Sequence, residues 1–140
     1  MSPFASLLHE MRTLRGLRQF ELAEMLGYES SYISSLEIGT KGPPTQEFVE
    51  KLINKLELEA EEQRFLYAAF NASQRKFVLE PDSPAETYWL ISELRERIDA
   101  LHPVQIKIIR DLLRMPDLLQ KKPFESTRRL KKGRKEGARM

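Results

Sequence analysis

The first half of this chain is a series of short amphipathic runs, and a glycine follows three of them. In five of these runs apolar residues recur every three or four positions, which is the period of an α-helix that buries one face. The motif Gly42-Pro43-Pro44 forbids helix continuation, and Thr45 then offers an N-cap for the fourth run. Helices are therefore predicted at residues 4–14, 19–26, 30–37, 46–56 and 59–73. Short helices with short connections favour a globular all-α domain.

The sequence changes character after residue 76. Residues 77–84 lack helical periodicity and hold two prolines, which predicts an extended linker. Ser83 as N-cap, Pro84 at the first helical position and Glu86 at the third form a capping-box signature for a helix that runs to about Leu101. Pro103 opens a further helix. The predicted organisation is a first domain at 1–76, a linker with a helical segment at 77–120, and a basic tail at 121–140.

The helical segment at 77–120 carries apolar residues along its helices. A pair of helices buries little apolar surface by itself, so these side chains are expected to pack on the first domain or on the same element of a second chain. We favour the second chain, with aromatic anchors in a dimer interface. The residues expected at this interface are Trp89, Ile91, Leu94, Ile98, Leu101, Ile108 and Leu112.

Composition argues against several classes of function. Cysteine is absent, which excludes a disulfide framework, a thiolate nucleophile and zinc sites that need sulfur ligands. His9 and His102 lie far apart in sequence, and the acidic run at 57–62 is more typical of a solvated helix start than of a cation site. We therefore expect no enzyme activity, no catalytic residue, no metal and no cofactor. No apolar stretch approaches the roughly 18 to 20 residues of a membrane-spanning helix, so a cytoplasmic protein without membrane contact is expected.

The basic character of the chain lies at its end. The net charge is +2, but residues 121–140 hold nine Lys or Arg against two glutamates, which leaves a net charge of −5 on residues 1–120. Two interpretations of the tail stand: an arm that adds non-specific affinity for DNA phosphates, or a disordered, solubilising end without a role. Any prediction of nucleic-acid binding must therefore rest on particular residues of the first domain and not on the overall charge.

The stretch from residue 19 to residue 37 has the spacing of a helix-turn-helix. Leu22 and Leu26 would form the inner face of its first helix, and the small Ala23 lets the second helix cross closely, with Gly27 at the turn. The arrangement resembles the DNA-binding domain of the Cro/Xre, or lambda-repressor-like, family. The positions that match the pattern of this family in order are Arg12, Gln19, Leu22-Ala23, Leu26-Gly27, Tyr32-Ile33-Ser34, Leu36-Glu37 and Gly39.

The resemblance covers about residues 4–73 and implies a five-helix domain that sets its third helix in the major groove, normally as a dimer on a two-fold-related operator. It places Ser30, Ser31 and Ser35 at base edges, with Tyr32 close enough to join them. Glu29 departs from the Ser or Thr usual at the start of this helix. Its carboxylate could read a cytosine amino group or could point away from the DNA.

The resemblance also implies which residues meet the DNA backbone. Gln19, Thr40 and Lys41 would contact phosphates, with Arg18 and Arg15 in reserve. Arg12 and Glu37 match a pair that tends to form an inward salt bridge between the first and third helices. A structural role is therefore expected for these two residues.

These expectations combine into a sequence-specific transcriptional regulator of the cytoplasm, associated with the nucleoid through double-stranded DNA. A homodimeric repressor that reads a palindromic operator and occludes a promoter is the favoured interpretation. The alternative is an antitoxin-type interaction module whose C-terminal helices bind another protein, with autoregulatory DNA binding. A small-molecule sensor is a weaker alternative, because the residues after 76 leave little material for an enclosed pocket.

Overall fold

A computed structural model describes residues 1–115 of the chain. Within these residues the backbone forms seven α-helices and one short 3-10 turn, with no strand, so the predicted all-α class is confirmed. The chain divides into two compact units, the first spanning Met1–Phe77 and the second beginning at Val78. No helix in the described part of the chain combines the length and apolarity needed to cross a membrane.

The first unit contains five helices that pack around one apolar core. They are α1 (Pro3–Leu14), α2 (Gln19–Leu26), α3 (Ser30–Ile38), α4 (Gln46–Lys55) and α5 (Ala60–Ala72). The five predicted helices are confirmed, and their ends shift by at most one residue. The side chains that are almost fully buried in the core are Phe4, Leu8, Leu22, Ile33, Leu36, Phe48, Val49, Leu52 and Leu66.

Local signals set several of the helix ends. The Thr45 hydroxyl accepts a hydrogen bond from the Phe48 amide at 3.2 Å, as expected of an N-cap. Gly27 and Gly39 end α2 and α3 with φ of 81° and 96°, a left-handed conformation that is costly for residues with a Cβ. Because both turns stay short, α2, α3 and the loop after α3 remain close together.

Ser73 joins the two ends of the first unit. The Phe4 amide donates to Ser73 Oγ at 2.9 Å, and Ser73 Oγ donates to the Ala69 carbonyl at 2.6 Å. Ser73 is buried although it is polar, and both of its hydrogen bonds are made inside the protein. This bond between α1 and the end of α5 satisfies one of the free amides at the start of α1.

The second unit contains α6 (Ala85–Arg97), a 3-10 turn at Ile98–Ala100 and α7 (Pro103–Leu113). Pro103 opens α7 as predicted. His102 is the N-cap: the Val104 amide donates to His102 Nδ1 at 3.1 Å, and the His102 amide donates to Gln105 Oε1 at 2.8 Å. This reciprocal pair fixes the start of α7.

Two expectations about α6 are wrong. Pro84, not Ser83, is the N-cap, and no side chain caps this helix. Pro84 has ψ of 152°, which is extended, so helical geometry begins one residue later than predicted. The α-helix also ends at Arg97 instead of Leu101, because the chain must become extended at His102 before Pro103 and tightens into a 3-10 turn first.

The predicted tail at 121–140 and the end of the predicted helical segment, at 116–120, lie outside the described residues.

Candidate nucleic-acid interface

The helix pair α2–α3 has one face in the core and one face in solvent. Leu22, Ala23 and Leu26 of α2 are buried together with Ile33 and Leu36 of α3. The turn between the helices is closed by the Tyr28 amide, which donates to the Ala23 carbonyl at 2.9 Å. Since the inward face of α3 is fixed by these contacts, its opposite face is presented to solvent.

The outward face of α3 borders a surface concavity of about 380 Å³. Its lining residues are Gly27, Tyr28, Glu29, Ser31, Tyr32, Ser35 and Lys41. The fold thus brings together four of the five residues predicted at base edges and one of the residues predicted at phosphates. Ser30 is exposed at the first position of α3 and does not line the concavity.

Two tyrosines form one wall of this concavity. The rings of Tyr28 and Tyr32 are stacked with their centroids 5.1 Å apart, and Tyr32 meets Phe48 of the core edge-on at 5.7 Å. Burial raises the pKa of Tyr32, and the nearby Tyr28 raises it further, so the Tyr32 hydroxyl is protonated at neutral pH. The aromatic wall is anchored in the core through the contact between Tyr32 and Phe48.

Lysines lie near both tyrosines. Lys41 Nζ is 5.9 Å from the centre of the Tyr32 ring, and Lys51 Nζ is 4.9 Å from the centre of the Tyr28 ring. Neither Tyr28 nor Lys51 was predicted from the sequence as a site residue. The position of Tyr28 directly after the turn glycine could have indicated it. Lys51 belongs to α4, and its approach to Tyr28 depends on how α4 packs.

Polar contacts connect several side chains of this face. The Ser35 hydroxyl donates to the Ser31 carbonyl at 2.8 Å, and the Ser31 hydroxyl donates to Glu29 Oε2 at 3.5 Å. The Thr40 hydroxyl donates to the Ser35 carbonyl at 3.4 Å. Glu29 is the N-cap of α3, but its carboxylate makes no capping bond. This carboxylate is exposed and therefore available to an outside donor.

Behind α3, Arg12 and Glu37 form the ion pair that was expected between the first and third helices. Arg12 Nε donates to Glu37 Oε1 at 2.6 Å, Arg12 Nη2 donates to Glu37 Oε2 at 3.1 Å, and Arg12 Nη1 donates to the Leu17 carbonyl at 2.7 Å. Gln19 Nε2 also donates to Glu37 Oε2, at 2.7 Å. Both oxygens of the buried carboxylate are thus satisfied, as a buried charge requires.

The pKa of Glu37 reflects two opposing effects. Burial by itself would raise the pKa of this carboxyl. Hydrogen bonds from Arg12 and Gln19, together with the charge of Arg12, outweigh burial and lower the pKa below its ordinary value of 4.5. Glu37 is therefore ionised at neutral pH and remains paired with Arg12.

The residues predicted to meet phosphates have different environments. Lys41 is exposed on the concavity, and Arg18 is exposed as the N-cap of α2, 4.0 Å from Glu21. The Gln19 amide is engaged by Glu37. Arg15 donates to Glu62 of α5 at 3.0 Å and lines a groove between α1 and α5, not the concavity of α3. Phosphate contact by these residues stays a prediction.

The residues predicted at a dimer interface all lie in the second unit. Trp89, Ile98, Ile108 and Leu112 are between 51% and 67% exposed. Ile91, Leu94 and Leu101 are half-buried. No residue of α6 or α7 is buried. Large apolar side chains are thus left in solvent on both helices of this unit.

Comparison with known proteins identifies the first unit. Residues 3–66 match a family model described as "Helix-turn-helix domain", which spans α1 to α4 and the first half of α5. No curated protein and no solved structure matches the chain. The match supports DNA as the partner of this segment and does not extend to α6 and α7.

Proposed function

We propose that this protein, whose residues 3–66 form a helix-turn-helix domain of the Cro/Xre-like class, is a homodimeric transcriptional repressor that reads a palindromic operator. The observation that carries the proposal is the outward face of α3. Its inward face is held by Ile33, Leu36 and the Arg12–Glu37 pair, while Glu29, Ser31 and Ser35 surround an open concavity. A helix held from behind with short polar side chains in front suits insertion into the major groove.

Phosphate contacts would come from residues near this helix. Arg18 and the amides at the start of α2 are one candidate, because the positive end of the helix dipole favours an anion. Lys41 and Thr40, which are exposed in the loop after α3, are the other candidates. Contacts of this kind set the position and register of the protein on DNA and carry no sequence information.

Dimerisation would use the exposed apolar side chains of the second unit. Burying a side chain such as Ile108 or Leu112 contributes about 1.5–3 kcal/mol relative to leaving it exposed. On α7, Val104, Ile108 and Leu112 are spaced by four residues, so they follow one another along one side of the helix, and all three are exposed. This stripe supports pairing with the same element of a second copy.

Two linked domains would add their contacts with DNA. One module that relies on short side chains discriminates poorly between sequences, whereas two modules on one frame combine their contacts and fix the half-site spacing near one helical turn, about 34 Å. A dimer on such an operator would repress by occluding the promoter.

Selection of bound sequences from a random DNA pool, with the oligomeric mass of the same sample measured by light scattering, tests this proposal. A palindromic motif bound by a dimer is the expected result. A motif bound by a monomer would contradict the homodimer while leaving the DNA-binding role. A pool without any enriched motif, together with a stable complex between α6–α7 and a different protein, would instead favour an antitoxin-type module.

A further inference from the structure

The hydroxyl of Ser35, which borders the concavity, is engaged as a hydrogen-bond donor. Ser35 donates to the Ser31 carbonyl at 2.8 Å, a bond to the carbonyl one helical turn earlier. A serine hydroxyl carries a single proton, so Ser35 is left with oxygen lone pairs to offer to a ligand. Ser31 Oγ lies 3.5 Å from Glu29 Oε2, a longer contact in which Ser31 is the donor.

Glu29 adds the strongest acceptor of this group. An ionised carboxylate accepts hydrogen bonds and donates none. The Glu29 carboxylate is exposed, makes no capping bond to α3, and lines the same concavity as Ser31 and Ser35. Three neighbouring side chains on the outward face of α3 therefore present acceptors to whatever enters the concavity.

The four bases differ in how well their major-groove edges match such a surface of acceptors. Guanine shows two acceptors there and thymine shows an acceptor and a methyl group, so neither matches an acceptor on the protein. Adenine and cytosine each carry an exocyclic amino donor. In adenine this donor stands beside the N7 acceptor, which repels a carboxylate, whereas cytosine shows only the amino donor.

We propose that Glu29, Ser31 and Ser35 form an acceptor cluster that reads an exocyclic amino group in the major groove, N4 of cytosine in preference to N6 of adenine. The inference rests on the proposed DNA-binding function and gives it a base preference. Lys41, on the same concavity, would offset the repulsion between Glu29 and the nearby phosphates.

The test combines base analogues with variants of the full chain. The preferred site is first selected from random DNA. Each cytosine of that site is then replaced in turn by 2-pyrimidinone deoxynucleoside, which lacks the 4-amino group, and each adenine by purine deoxynucleoside, which lacks the 6-amino group. At one cytosine per half-site the analogue should weaken binding of the unmodified protein about tenfold, and binding of Glu29→Ala by no more than about twofold.

Glu24→Ala provides the matched control. Glu24 is an exposed carboxylate of α2 that does not line the concavity. Glu24→Ala therefore changes the net charge of the protein by the same amount as Glu29→Ala and leaves the concavity unaltered. Both variants should bind random DNA more tightly because a negative charge is lost. Only Glu29→Ala should lose the response to the cytosine analogue, and Glu24→Ala should keep it.

Other outcomes would overturn the inference in distinct ways. Equal effects of every analogue on the unmodified protein and on Glu29→Ala would show that Glu29 points away from the bases, although the DNA-binding function would stand. A response confined to an adenine would overturn the preference for cytosine. Failure to select any motif would overturn the proposed function and this inference together.

Discussion

Arg12 and Glu37 are joined by two hydrogen bonds, at 2.6 and 3.1 Å, that connect α1 to the last turn of α3. The pair lies behind the helix whose outward face borders the concavity, and Glu37 is buried. It therefore determines how α3 is held without being part of the surface that α3 presents.

Replacement of Arg12 should destabilise the fold severely. In Arg12→Ala the buried Glu37 carboxylate loses its charged partner, and we expect the free energy of unfolding to fall by about 3–5 kcal/mol. Urea unfolding followed by circular dichroism measures this change. Arg18→Ala, which removes an exposed arginine, is the control and should shift stability by no more than about 0.5 kcal/mol. Normal stability of Arg12→Ala with loss of DNA binding would instead indicate direct contact with DNA.

The same carboxylate predicts a response to acid. Because the pKa of Glu37 is lower in the folded protein than its ordinary value of 4.5, ionisation of Glu37 stabilises the fold above that value. The stabilisation is lost as the pH falls from 4.5 through the lowered pKa. Glu37→Gln should be less stable than the unmodified protein at neutral pH and should lose less stability on acidification. Parallel pH profiles of unfolding free energy for the two proteins would refute this expectation.

Ser73 should contribute to stability through its bond with Phe4. In Ser73→Ala the Phe4 amide loses its buried acceptor, which is expected to cost about 1–3 kcal/mol of unfolding free energy. Thermal and urea unfolding measure the loss. Ser6→Ala is the control, because Ser6 is exposed on α1 and alanine is a good helix former. A Ser73→Ala protein as stable as Ser6→Ala would show that water replaces the hydroxyl.

The serines of α3 should affect discrimination between DNA sequences more than stability. Replacing Ser31 and Ser35 together by alanine removes two acceptors from the concavity, and neither side chain is buried in the core. Discrimination against a changed base should fall by about 1–3 kcal/mol per effective contact while the fold survives. Competition binding between the selected site and single-base variants measures this. Unchanged discrimination would mean that α3 is not placed in the groove as proposed.

Charged residues in the apolar stripe of α7 should prevent dimerisation. The double substitution Ile108→Glu and Leu112→Glu places two carboxylates on side chains that are expected to become buried, and a monomer is the predicted result. Sedimentation equilibrium over a range of concentrations measures the mass. Lys107→Glu changes an exposed neighbour on the same helix and should leave the dimer intact. A double variant that still dimerises would exclude this stripe as the interface.

Local sequence signals predicted the helices of the first unit well, since their causes act over a few residues. Thr45 caps α4 and Gly27 ends α2 through contacts within one helical turn. The same kind of signal failed at Pro84. Its φ of −61° fits both an N-cap and a first helical residue, and only ψ distinguishes the two. A capping motif with two compatible registers is therefore ambiguous from sequence.

The resemblance to the family implied base-edge roles for Glu29, Ser31 and Ser35, and these roles stay predictions. The structure brings these three residues together around one concavity. That Gln19 donates to Glu37 and that Arg15 is engaged by Glu62 could not be predicted, because these bonds join helices that are distant in sequence.

The sequence by itself determined the all-α class, the boundaries of the first five helices and the presence of a helix-turn-helix, because periodicity, caps and turn residues act locally. Only the tertiary structure decided which side chains share a surface. Packing determines the stack of Tyr28 and Tyr32 against Phe48 and the hydrogen bond from the Phe4 amide to Ser73. The hydrogen bond that Ser35 donates depends on its side-chain torsion. Such contacts are fixed by the summed packing of several helices, which no single stretch of sequence encodes.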